Sequence, residues 1–206
     1  MTNNQILVLI IVIVVVIILV FLFWGWWASS TTTTTSDATY KDLLLLRNLM
    51  DDKRVFTREY SRNLTSGGSC LEPGSKVLED TNLGIATVLA GRENTDTSKA
   101  TGLSSLLNAQ TLFLKRLHDG ESETTVQADT DKNTAAILAL LSNKACGDSQ
   151  LKNALDNYNL HTVAQYKSLT SGDCAQSYKD YNAVKKDTAD LYDLFYAYII
   201  ANRKGK

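Results

Sequence analysis

Residues 97–118 read TSKATGLSSLLNAQTLFLKRLH, with Leu103, Leu106, Leu107, Phe113, Leu114 and Leu117 recurring at steps of three and four. That spacing lays one apolar stripe along a helix whose other faces carry Ser, Asn, Gln and Lys. It predicts an amphipathic helix with a core to pack against. Asp119-Gly120 ends it, since glycine accepts the backbone angles of a tight turn.

Working outward, the same period recurs in both directions. Downstream, a fourth helix is expected over 124–145, ending at Gly147, and a fifth over 149–169 with Leu151, Leu155, Tyr158, Tyr166 and Leu169. A last helix over 175–202 carries Tyr178, Tyr181, Val184, Leu191, Phe195 and Ile199. Upstream, Pro73 is welcome in the first turn of a helix over 73–90 that Gly91 closes. The first helix is expected over 40–64, with Leu43, Leu46, Met50 and Tyr60 inward and Ser66-Gly67-Gly68 as its stop. Thr39 and Asp42 have the spacing of a capping box. Pro73 is the only proline in 206 residues. Short turns between so many helical stretches predict an all-α domain over 37–206, an antiparallel bundle of about six helices.

The N-terminal end is a different kind of sequence. Ile6–Phe23 reads ILVLIIVIVVVIILVFLF, eighteen apolar residues without interruption. As a helix they extend roughly 27 Å, close to the hydrocarbon thickness of a bilayer. Their β-branching disfavours helix in water, but in lipid the backbone must satisfy its own hydrogen bonds. Trp24, Trp26 and Trp27 follow at once and are the only tryptophans, as at a membrane interface. Residues 1–27 are therefore expected to be a single transmembrane anchor. A cleaved signal peptide is disfavoured: the apolar run is too long, and Met1–Gln5 holds no Lys or Arg. Residues 28–36, ASSTTTTTS, can bury little and are expected to be a Ser/Thr-rich linker.

Three cysteines invite a geometric argument. In an up-and-down bundle alternate turns share an end, so Cys70 and Cys174 fall together and Cys146 lies at the other end. The fifth helix, about 30 Å long, separates Cys146 from Cys174, whereas a disulfide needs Cα atoms within about 7 Å. A Cys70–Cys174 bridge with a free Cys146 is the expectation, worth about 4–5 kcal/mol in the chain-entropy model. It requires an oxidising compartment, extracytoplasmic, luminal or in a virion; the alternative is three buried thiols in a reducing compartment. Asn63-Leu64-Thr65 is a glycosylation sequon, weak support for the luminal side.

Other chemistry is sparse. His118 and His161 are far apart in sequence and neither has a second ligand at i+3 or i+4 that forms a recognisable zinc pair, and neither a CxxC, HExxH, GxSxG nor P-loop pattern occurs. Asp51 and Asp52 adjoin Arg47, Lys53 and Arg54, where ion pairs on a solvated helix face are the ordinary reading. Tyr192, Tyr196 and Tyr198 suit either a contact surface or packing within the last helix. Lys and Arg number 21 against 22 Asp and Glu, a net charge of -1 that argues against nucleic acid as a partner.

No enzyme and no cofactor are expected. The leading expectation is a non-enzymatic, single-pass structural protein that tethers a partner assembly near a bilayer. Its partners would be lipid, an unidentified protein and a second copy of the chain. The layout resembles, in architecture alone, that of membrane-anchored minor structural proteins of large viruses with an internal membrane. The alternative is an extracytoplasmic ligand-sensing bundle, which a pocket of convergent polar groups would favour.

Overall fold

The computed structural model describes residues 37–68, 70–91, 97–141 and 148–204. The expected anchor at 1–27, with Trp24, Trp26 and Trp27, and the linker at 28–36 lie outside the described residues, as does Cys146. The chain divides into two units, Met1–Asp42 and Leu43–Lys206. Of the first, residues 37–42 are described and are helical. Because residues 37 and 38 are already helical, Thr39 is inside a helix and does not cap one.

The second unit is all-α, with six helices and no strand among the described residues. They are α1 (43–66), α2 (Leu71–Ala90), α3 (Thr97–His118), α4 (Glu123–Leu141), α5 (Asp148–Thr170) and α6 (Cys174–Lys204). Each α-numbered helix from α2 to α6 packs along the next, the succession that short turns enforce. Pro73 sits in the first turn of α2, where its missing N–H costs nothing. Gly120 follows α3 with φ +93°, a left-handed conformation that a side chain would strain. The same turn is clamped by Arg116, which donates to Glu121 at 2.6 Å and to Asp129 of α4 at 2.9 Å.

Two apolar clusters hold the bundle. The larger includes Leu46, Met50, Ile85, Leu103, Leu107, Ile137, Leu155, Leu191, Phe195 and Ile199. The smaller gathers Tyr60, Leu64, Leu78, Leu114 and Tyr166. A fully buried Leu such as Leu46 or Leu103 contributes about 2 kcal/mol by removal from water. Successive helices run between the clusters in opposite senses, α1 from Leu46 to Leu64, α2 from Leu78 to Leu89, α3 from Leu103 to Leu114. One expected core residue faces out: Tyr178 of α6 is 62% exposed.

Candidate functional site

Between the two clusters the core turns polar. At that level α1 contributes Lys53 and Thr57, α2 Asn82, α3 Gln110 and Thr111, α4 Thr130 and Thr134, and α5 Asn159 and Thr162, all buried. Helical spacing produces this layer: Lys53 and Thr57 continue the inward line of Leu46 and Met50 toward Tyr60 and Leu64, and Gln110 and Thr111 stand between Leu107 and Leu114.

Lys53 is the centre of the layer. Its ammonium donates to Asn82 Oδ1 at 2.9 Å and to Gln110 Oε1 at 3.1 Å. The network continues outward. Gln110 Nε2 donates to Asn159 Oδ1 at 3.1 Å, Asn159 Nδ2 to Thr134 Oγ1 at 3.4 Å, and Asn82 Nδ2 to Asn108 Oδ1 at 2.8 Å. Five helices, α1 to α5, are thereby linked through side-chain hydrogen bonds. Every direct partner of the amine is neutral, and no carboxylate among the described residues pairs with it. Burial without a counter-charge pulls the Lys53 amine down to about 7. Its Nζ also lies 5.9 Å from the centre of the Tyr158 ring.

Beside Lys53 is a cavity of about 20 Å³, lined also by Thr57, Gln110, Tyr158, Asn159 and Thr162. That is room for one water-sized guest. Burial pushes the Tyr158 phenol up to about 12; the Thr57 and Thr162 hydroxyls lie close enough to oppose the rise. Yet Tyr158 Oη, Thr57 Oγ1 and Thr162 Oγ1 have no partner in hydrogen-bond geometry. A second void of about 10 Å³ on the apolar side is lined by Met50, Ile85, Leu107, Leu155 and Phe195.

The residues singled out from the sequence are dispersed. Cys70 and Cys174 are both free thiols and both exposed, so the expected bridge between them is not formed. Counting turns puts them at the same end of the bundle but does not bring the thiols together. Cys70 precedes α2, which packs chiefly along α3, and Cys174 opens α6, which packs chiefly along α5; α2 and α6 touch only slightly. The expectation of an oxidising compartment leaned on that bridge and keeps only the Asn63 sequon beside it. Asn63 is in the last turns of α1, half-buried, with its carbonyl accepting from the Gly68 N–H at 3.1 Å.

His118 ends α3 and shares a hydrogen bond with Tyr166 Oη at 3.1 Å. His161 is bonded through Nδ1 to Asp187 of α6 at 2.6 Å. Among the described residues no cluster of three or more His, Cys, Asp and Glu is placed to hold a metal. Tyr198 is buried and accepts from Lys99 Nζ at 2.6 Å, Tyr192 meets Tyr196 with ring centres 6.2 Å apart, and Tyr196 is exposed. The charged quartet around Asp51 divides. Arg54, its side chain mostly covered, pairs with the exposed Asp51 at 3.3 Å, and Lys53 points into the core. Sequence reasoning missed Lys53. Its place one turn after Met50 and two before Tyr60 on the inward line was the signal available.

Among the described residues no helix is long and apolar enough to cross a membrane. Comparison with family models, with curated proteins and with solved structures gave no match.

Proposed function

We propose that the chain is a non-enzymatic, single-pass membrane protein whose helical domain tethers a partner assembly close to a bilayer. The observation that carries this reading is Ile6–Phe23, an unbroken apolar run of membrane-spanning length, capped by Trp24, Trp26 and Trp27 and followed by ASSTTTTTS. A spacer of that composition cannot fold on its own and would let the domain reach a protein partner. Exposed Tyr178, Tyr196 and Leu160 supply contact chemistry on the domain's surface. A virion with an internal membrane is one setting with this architecture.

A ligand-sensing bundle is the second reading, and the polar layer at Lys53 is what favours it. The cavity there, about 20 Å³, restricts a ligand in that layer to a water-sized one. Crosslinking in intact membranes followed by pull-down separates the two. A stoichiometric protein partner is the expected result, and a monomer carrying a bound metabolite would overturn the tether.

A further inference from the structure

The cavity beside Lys53 is unusual in what its walls offer. The amide oxygens nearby are already engaged: Asn82 Oδ1 and Gln110 Oε1 accept from Lys53, and Asn159 Oδ1 accepts from Gln110. Thr130 spends its hydroxyl proton on the Val126 carbonyl. What remains is an ammonium and three hydroxyls, those of Thr57, Tyr158 and Thr162, each more than nine-tenths buried; the two threonine hydroxyls lie near the phenol, and none of the three has a partner in hydrogen-bond geometry. Among the described residues no carboxylate lines the cavity. Each hydroxyl can turn its proton toward a guest, and the Lys53 ammonium repels a cation and attracts an anion. The volume excludes phosphate or any carboxylate metabolite and admits a single particle.

We propose that this cavity binds one monoatomic anion of chloride size, taken up together with a proton on Lys53. The coupling follows from charge. A neutral amine gives a buried anion nothing to pair with, and a buried ammonium among neutral amides lacks a counter-ion. Each therefore favours the other, so anion affinity rises as pH falls.

The surrounding charges are few. On α1, Arg54 lies next in the chain and its guanidinium donates to Tyr181 of α6. On α5 and α6, His161 and Asp187 form their own pair, and the buried Asp187 carboxylate bears on the Tyr158 phenol. On α2, Lys76 pairs with Glu79 and Asp80 in solvent, and on α3 and α4, Arg116 pairs with Glu121 and Asp129. The layer itself presents only Asn82 from α2, Gln110 from α3 and Thr130 from α4.

The test uses the full chain in detergent micelles, with melting temperature followed at pH 6 and pH 9. Sodium chloride is titrated against sodium gluconate at matched ionic strength, gluconate being too large to enter. The expected result is a chloride-dependent rise of several degrees at pH 6 that gluconate does not reproduce and that shrinks at pH 9. Lys53→Met should abolish the chloride response, and Thr162→Val should weaken it without removing the charge. Identical melting in the two salts at both pH values would mean that only water occupies the site, and would overturn the proposal. A chloride response surviving in Lys53→Met, or in Thr57→Val/Thr162→Val if the first variant does not fold, would overturn it equally.

Discussion

Lys53 Nζ on α1 lies 3.1 Å from Gln110 Oε1 on α3, and the bond joins two helices through a buried amine that no carboxylate among the described residues neutralises. Such an interaction costs more in desolvation than it returns unless every polar partner is in place. In exchange it ties the axial position of α1 to α2 and α3, since sliding any of them by one turn would set Lys53 against leucine. The layer is in that sense a register device, comparable to a single polar residue inside a coiled coil.

Stability should depend on pH in a direction set by this residue. Its folded pKa, about 7, is below the ordinary 10.5 of the unfolded chain. Between those values the unfolded state binds more protons, so stability rises as pH climbs from about 7 toward 10.5 and this contribution is absent below 7. A shift of that size corresponds to about 4–5 kcal/mol over the window. Urea unfolding at pH 7 and pH 9.5 in low-chloride buffer should show the rise. Lys53→Met should remove the slope.

Breaking the layer on one side should destabilise the fold. Gln110→Leu removes an acceptor from Lys53 and the donor to Asn159 Oδ1, and leaves both groups buried. A loss of about 2–4 kcal/mol in chemical denaturation is expected. Combined with Lys53→Met, the loss should be much smaller than the effect of Gln110→Leu alone, because the stranded amine is then gone.

Both described thiols are free and exposed, so a maleimide should label Cys70 and Cys174 in the native protein at comparable rates. Peptide mapping without reductant should find no peptide pair joined through them.

Arg116 holds the α3–α4 turn by contacts to Glu121 and Asp129, and those contacts keep its guanidinium charged. Arg116→Met should speed amide hydrogen exchange at 119–122 while leaving exchange in the middle of α5 unchanged.

Much of the bundle was legible in the chain. The third helix was expected over 97–118 and spans Thr97–His118, because its apolar stripe is uninterrupted and its stop is Asp119-Gly120. The fifth and sixth helices likewise differ from expectation by a residue or two at each end. What was not legible is the polar layer. Lys53, Asn82, Gln110 and Asn159 are residue types that water ordinarily claims. Only when four helices place them at one level does each find a partner in the next. The Cys70–Cys174 expectation failed for a related reason: the order of turns dictates which end of a bundle a residue occupies, while lateral neighbours depend on packing that no single helix encodes.

The most direct test of the tether is flotation of the full chain with lipid vesicles, before and after washing in alkaline carbonate. Residues 37–206 expressed alone serve as the comparison. The full chain should float and resist the wash, while the shorter one stays in the aqueous fraction with its helical circular dichroism intact. Release of the full chain by carbonate would contradict the account, because Ile6–Phe23 would then not be lodged in hydrocarbon.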